Sequence, residues 1–126
     1  MPSRIQVFRR QAFDRQGGRC YYCHAAIWQL TPDELPAKAP SPRAAARPRC
    51  TAEHLVPNFD GGQDSAANLV AACLQCNWTR HRRKAPPSPE AFRRWVAARV
   101  RRGAWHQPWV FERGLLSAAG LPERLS

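Results

Sequence analysis

The chain has 126 residues, a length that suits one domain and leaves little room for two separate cores. It carries 20 Lys and Arg against 9 Asp and Glu, for a formal net charge of +11, and nearly all of the cations are Arg. Because the planar guanidinium binds phosphate bidentately, this charge predicts a nucleic-acid partner, although a genome rich in G and C would also enrich Arg. No run approaches the ~20 apolar residues of a membrane helix, and no signal-peptide pattern follows Met1. We therefore expect a cytoplasmic protein with no membrane partner.

The first part of the chain predicts a helix and then an irregular insertion. Residues 3–16 have apolar side chains at helical spacing, and Gly17-Gly18 is typical of a helix C-terminus. Residues 31–48 are rich in proline and alanine, so we predict a surface loop or a partly disordered insertion there. A short helical turn capped by Thr31 is predicted at residues 32–35.

The middle of the chain predicts a strand, a reversal and a short turn. Residues 50–57 are predicted to form the strand, and residues 60–62, Asp-Gly-Gly, the turn that reverses it. Ser65 is predicted to cap a short helical turn that carries Asn68 and Leu69.

Two further helices are predicted. The first starts at Cys76, runs through Arg80 and ends before the next prolines. The second opens at Ser88, extends to about Arg102, and carries an apolar stripe that we expect to pack on the core. The tail that follows is predicted to be irregular.

Four of the five cysteines form two C-x-x-C pairs, Cys20 with Cys23 and Cys73 with Cys76. Two such pairs supply the four thiolates of a closed, structural zinc site. A single pair would also be typical of a thioredoxin-like redox motif, so a redox protein remains an alternative. The fifth cysteine, Cys50, is expected to be a small buried apolar residue.

A second group of polar residues lies between and just after the cysteine pairs: Glu53, His54, Asn68, Asn77 and His81. Imidazole exchanges protons near neutral pH, so His54 is a candidate general base for activating water. Glu53 faces the other side of the predicted strand and is a candidate ligand of a divalent cation. Asn77 and His81 are four residues apart and share one helix face, which would complete that metal site. Asn68 is expected to hold the His54 imidazole or its loop through its amide.

At these residues the chain resembles the HNH endonuclease family. The resemblance runs from about Arg15 to Arg83 and includes R-x-G-G-R-C-x-x-C, E-H-L-V-P, the G-G turn, N-L and C-x-x-C-N. It implies an α+β fold: a small ββα-metal (HNH, or His-Me finger) module with a four-cysteine zinc, flanked by N- and C-terminal helices.

The resemblance also implies roles for individual residues. His54 would be the general base, Asn68 the middle asparagine, and Glu53 and Asn77 ligands of a catalytic Mg²⁺ or Mn²⁺. His81 matches a further metal-binding histidine that some members have. Glu53 stands where Asp is more usual, Asn77 replaces the third histidine, and Arg80 stands where the family often has Lys. The segment at residues 24–49 is longer than usual and is a candidate specificity element.

A basic run follows the second cysteine pair. Its candidate DNA contacts are Arg80, Arg82, Arg83 and Lys84. The alternative is a solvated helix face. His24 and His106 have no recognisable partner in the sequence, and we expect both to be structural or surface residues.

Together these patterns predict a single HNH nuclease domain over residues 1–126. We expect an N-terminal helix and lead-in at 1–19, a zinc-stapled ββα core with the insertion at 20–85, and a C-terminal helix and tail at 86–126. The predicted activity is metal-dependent hydrolysis of DNA, double-stranded, by a monomer or homodimer. A non-catalytic zinc-knuckle module that binds nucleic acid is the main alternative, and RNA is an alternative substrate.

Overall fold

The computed structural model describes residues 1–118, so the last eight residues of the predicted tail lie outside the described part. The helices are α1 (Arg4–Arg15), α2 (Pro42–Ala46), α3 (Leu74–His81), α4 (Pro89–Arg101) and α5 (Pro108–Glu112), and the strands are β1 (Cys50–His54) and β2 (Leu69–Cys73). Short 3₁₀ turns lie at Pro32–Glu34 and Asn58–Asp60. This combination of helices with a two-stranded antiparallel sheet confirms the predicted α+β class. Among the described helices, none has the length and apolar content needed to cross a bilayer.

The centre of the fold is a hairpin that runs directly into a helix. Strands β1 and β2 pair antiparallel, with Cys50 opposite Cys73 at one end and His54 opposite Leu69 at the other. Helix α3 begins immediately after β2, where the Cys73 sulfur accepts the Cys76 amide at 3.4 Å. This ββα unit therefore has one end that carries cysteines and an opposite end, at the close of the five-residue strand β1, that carries Glu53 and His54.

The hairpin is covered by helices from both ends of the described chain. Strand β2 is buried along its whole length. At the end of α1, the Gln16 side chain donates to the Ala71 carbonyl at 2.8 Å and accepts the Ala71 amide at 3.0 Å, as a neighbouring strand would. The apolar face of α4 contributes Phe92, Val96 and Val100 to the same core.

Helices α1 and α4 agree with the sequence because their ends are encoded locally. Ser3 forms a capping box with Gln6, and the Ser88 hydroxyl accepts the Ala91 amide at 3.2 Å. Gly17 follows α1 with a φ of 67°, in the left-handed region where glycine is favoured.

The central elements differ from prediction at their boundaries. Strand β1 ends at His54 rather than at residue 57, and β2 begins at Leu69, which was predicted to lie in a helical turn. The turn itself forms, since the Ser65 carbonyl accepts the Asn68 amide at 3.1 Å. Helix α3 begins at Leu74 rather than Cys76, because Cys73 supplies the cap.

The proline- and alanine-rich insertion is more ordered than predicted. The turn capped by Thr31 is present, but the expectation of a surface loop over residues 31–48 is wrong for α2. Ser41 caps α2, and Ala44 and Ala45 are buried. The Trp28 indole donates to the Ala45 carbonyl at 2.8 Å, which fixes α2 to the segment before the insertion.

Candidate active site and metal centre

The four paired cysteines converge into one buried cluster. Their sulfur atoms all lie within 4.8 Å of one another: Cys20 and Cys23 from the loop after α1, Cys73 at the end of β2, and Cys76 in α3. The backbone amide of Cys73 donates to the Cys20 sulfur at 3.2 Å, so one cysteine pair supplies a donor to the other. Four converging sulfurs, buried and supplied with amide donors, are a donor set suited to a tetrahedral metal such as zinc.

Two side chains that the sequence did not connect with this centre contact its sulfurs. The Trp105 indole donates to the Cys76 sulfur at 3.3 Å. His106 Nε2 lies 3.2 Å from the Cys23 sulfur, and the imidazole is buried. His106 is thus structural, one of the two roles expected for it, and its partner is a sulfur that the sequence did not reveal. Hydrogen bonds of this kind orient thiolate ligands and offset their negative charge.

The fifth cysteine stays apart from the cluster. Cys50 is buried at the start of β1 and is not a member of the four-sulfur group. Burial is the main cause that raises the pKa of its thiol to about 12, so the sulfur remains protonated at neutral pH. This confirms the prediction of a small buried apolar residue.

The Glu53 carboxylate is the most heavily engaged group at the other end of the hairpin, with only 1% of the residue exposed. Its Oε2 accepts the Tyr22 hydroxyl at 2.8 Å and Arg80 Nη1 at 3.0 Å. Its Oε1 lies 2.7 Å from His81 Nε2. Burial, and after it the negative charge of Glu53, raise the pKa of Tyr22 above its usual range, so the phenol stays protonated and donates.

Arg80 faces inward. It is 2% exposed and donates to the carbonyls of His54 at 3.1 Å, Leu55 at 3.0 Å and Pro87 at 3.0 Å, besides Glu53. A buried carboxylate requires a counter-charge, and the Arg80 guanidinium supplies it to Glu53. The other N–H groups of the guanidinium donate to the three carbonyls. Arg80 is therefore removed from the predicted DNA contacts, because it offers no surface to a phosphate.

Only one of the two residues predicted to share a metal-binding face of α3 contacts Glu53. His81 does so, with 27% of its side chain exposed. The Asn77 amide nitrogen instead donates to Thr51 Oγ1 at 3.0 Å and to the Ala52 carbonyl at 3.2 Å. Asn77 thus fastens α3 to β1.

Glu53 Oε1 and His81 Nε2 lie 2.7 Å apart, within hydrogen-bond distance, and both are atoms of kinds that bind divalent metals. Neighbouring ligands of an octahedral ion at about 2.1 Å lie about 3 Å apart, close to the separation of these two donor atoms. The partial exposure of His81 leaves one side open to water and phosphate oxygens. The two residues therefore fit an ion that takes few protein ligands.

His54, at the end of β1, is paired with a residue that the sequence analysis did not select. His54 Nε2 lies 2.7 Å from Asp64 Oδ1, and the two side chains are 20% and 40% exposed. The only sequence signal for Asp64 is a carboxylate shortly after the Gly-Gly turn, in the loop that must fold back over β1.

Asn68 holds this loop closed. Its Oδ1 accepts the Val56 amide at 2.8 Å, and its Nδ2 donates to the carbonyls of Val56 at 2.9 Å and Gln63 at 3.0 Å. Of the two roles considered for Asn68, these contacts correspond to holding the loop, since the imidazole of His54 is held by Asp64.

An exposed basic surface begins where α3 ends. Arg82, Arg83 and Lys84 are exposed there, and the Arg82 guanidinium lies 4.4 Å from the centre of the exposed Trp78 ring. This surface adjoins His81 in the chain, so cations border the Glu53–His81 pair.

The ββα-metal fold is a hairpin that leads into a helix. Here a histidine ends the first strand, and a carboxylate–histidine pair lies between that strand and the helix. Residues 41–83 match the family model described as HNH endonuclease. The match implies nuclease-type activity on a nucleic-acid substrate. Cys20, Tyr22 and Cys23 lie before the matched residues. No curated protein and no solved structure matches the chain significantly.

Proposed function

We propose that the protein is a metal-dependent endonuclease that hydrolyses phosphodiester bonds of double-stranded DNA, with His54 as the general base. The observation that carries this proposal is the 2.7 Å contact between His54 Nε2 and Asp64 Oδ1. When Nε2 donates its proton to Asp64, Nδ1 keeps its lone pair and can accept a proton from water. Asp64 thus fixes both the orientation and the tautomer of the base.

Glu53 and His81 are the residues that would hold the catalytic ion. A divalent ion bound there would polarise the scissile phosphate and offset the charge on the departing 3′ oxygen. A carboxylate and an imidazole, completed by water and phosphate oxygens, suit Mn²⁺ as well as Mg²⁺. Asn77 stays a candidate ligand through its Oδ1, because its contacts with β1 use its Nδ2. These contacts also keep α3, and with it His81, against Glu53.

Arg82, Arg83 and Lys84 are proposed to contact the DNA backbone. They are exposed and directly follow His81, so a phosphate chain along this surface passes the Glu53–His81 pair. The net charge of +11 supports a polyanionic partner.

A zinc-replete preparation incubated with supercoiled plasmid tests this function. With Mg²⁺ or Mn²⁺ we expect nicked or linear DNA, and with EDTA none. His54→Ala should lower the rate by about 10²-fold or more, as loss of a general base does. His24→Asn is the matched control, because His24 lies outside the site and its φ of 66° is tolerated by asparagine. Cleavage by His54→Ala at the wild-type rate would contradict the mechanism.

One observation favours a second candidate, a non-catalytic module that binds nucleic acid. Both oxygens of Glu53 already have partners in Tyr22, Arg80 and His81, so this carboxylate is satisfied without an ion. Binding of plasmid without cleavage in Mg²⁺, Mn²⁺, Co²⁺ or Ni²⁺ would support this candidate.

A further inference from the structure

Tyr22 connects the two ends of the hairpin. It lies between Cys20 and Cys23 in the first cysteine knuckle, and its backbone amide is 3.4 Å from the Cys20 sulfur. Its side chain is fully buried, and its hydroxyl reaches Glu53 Oε2 at 2.8 Å. One residue thus contacts a sulfur of the zinc centre through its main chain and the carboxylate of the proposed catalytic site through its side chain.

Packing leaves the Tyr22 ring little freedom. Phe92 of α4 meets the ring edge-on at a centroid distance of 4.9 Å, and Tyr21 does so at 5.1 Å. The position of the hydroxyl is therefore set by the knuckle and the core. The neighbouring Tyr21 is only partly buried and lies under the Arg93 guanidinium, 4.5 Å from its ring centre, with no contact to Glu53.

The contacts of Glu53 divide between its two oxygens. Oε2 accepts from Tyr22 and Arg80, whereas Oε1 faces His81. Two donors on one oxygen, approaching from a knuckle and from a helix, fix the plane of the carboxylate. The oxygen left for an ion is then always Oε1, which lies beside the second proposed ligand.

We propose that Tyr22 is a positioning residue. Its phenol, held in place by the zinc knuckle, orients the Glu53 carboxylate and thereby determines which carboxylate oxygen binds the catalytic divalent ion. This inference rests on the proposed function, because it takes Glu53 as a ligand of that ion. Residues that orient metal ligands typically change metal affinity or activity by about 10- to 100-fold when they are removed.

Two phenylalanine variants test this role with the same chemical change at adjacent positions. Tyr22→Phe should weaken Mn²⁺ binding to the zinc-loaded, DNA-free protein by about 10-fold or more in calorimetric titration. The Mn²⁺ concentration that half-saturates cleavage should rise by a similar factor, and excess Mn²⁺ should restore much of the rate. Tyr21→Phe should match the wild type in both measurements. Both variants should keep the wild-type zinc content.

A measurement on the unmutated sequence covers the case in which Tyr22→Phe does not fold. The chain has only two tyrosines, so labelling with 3-fluorotyrosine gives two ¹⁹F resonances, which Tyr21→Phe assigns. Mg²⁺ should shift the Tyr22 resonance and leave the Tyr21 resonance in place. A Tyr22 resonance that does not respond to saturating Mg²⁺ contradicts the coupling.

The outcomes separate this inference from the function on which it rests. Wild-type protein that neither binds Mn²⁺ nor cleaves DNA would overturn both. Wild-type protein that does both, with Tyr22→Phe equal to it in affinity and rate, would overturn the positioning role alone. A loss of rate in Tyr22→Phe with unchanged Mn²⁺ affinity would also overturn it, since the defect would then be unrelated to the ion.

Discussion

Glu53 is a buried carboxylate whose neighbours account for its position. Removing a charge from water costs several kcal/mol even after relaxation, so such a group persists only with close partners. Arg80 supplies the opposite charge at 3.0 Å, and Tyr22 supplies a neutral donor at 2.8 Å. Because Arg80 also bonds three backbone carbonyls, the ion pair ties α3 to the end of β1.

The contact between Asp64 and His54 leads to a prediction for a single substitution. Asp64→Ala removes the acceptor on His54 Nε2, and the imidazole is then free to rotate and to change tautomer. We expect the cleavage rate to fall by about 10-fold or more, which is part of the roughly 10²- to 10⁴-fold that general-base catalysis contributes. Plasmid nicking under single-turnover conditions measures it. Asp60→Ala is the control, since Asp60 is an exposed carboxylate in the same loop. Equal rates for the two variants would show that Asp64 does not orient the base.

Contacts within the site can be predicted for residues that are close to one another in the sequence. Glu53 and His54 are adjacent in the sequence, and Asn77 and His81 lie four positions apart on one helix. The pairing of His54 with Asp64, and of Glu53 with Tyr22, depends on how loops fold back on the hairpin. Single-sequence spacing carries no signal for such contacts.

The conformation of the loop between β1 and β2 depends on the side chain of Asn68. Asn68 closes it through three hydrogen bonds to Val56 and Gln63. The loop also carries Asp64, so its conformation determines where the partner of His54 lies.

Asn68→Ala should therefore affect both stability and catalysis. Three hydrogen bonds of about 1 kcal/mol each, partly replaced by water, predict a loss of about 1–3 kcal/mol. Thermal melting measures the stability, and hydrogen exchange at the Val56 amide reports loop opening. Asn58→Ala, in the exposed part of the same loop, should leave both unchanged. The role assigned to Asn68 is wrong if its variant melts and exchanges like Asn58→Ala.

Elements were predictable where their signals are local. Ser3 and Ser88 begin their helices with side-chain caps that any sequence analysis can find. Helix α3 begins earlier than predicted because its cap is Cys73, a residue placed there by the sulfur cluster. The proline density of residues 31–48 predicts a loop, but helix α2 forms because Pro42 occupies the first helical position, where proline is tolerated.

At the scale of the molecule, the sulfur cluster is part of the core. The four paired cysteines pack with apolar side chains from α1, β2 and α4 in one buried group. Four thiols collected in one place without a metal would leave a polar cluster at the centre of a small core. We therefore expect metal binding to be coupled to folding.

Removal of zinc should unfold the domain. Binding free energies on the order of 10 kcal/mol make the metal a larger stabilising contribution than a small core supplies. We expect one zinc per chain by elemental analysis, and loss of the cooperative thermal transition after chelation. Cys73→Ala should behave like the chelated protein. Cys50→Ala, at a buried cysteine outside the cluster, should retain the metal. An unchanged midpoint after complete removal of zinc would contradict this view of the core.

Because Trp105 and His106 contact the cluster, the order in which the chain is synthesised determines when the sulfur centre can be completed. A ribosome completes the four cysteines at Cys76, well before it adds the two residues that donate to their sulfurs. We therefore expect a metal that binds the four sulfurs during synthesis to enter while the centre is still open to solvent. The later folding of α4 and of the segment behind it would then enclose that ion and slow its release.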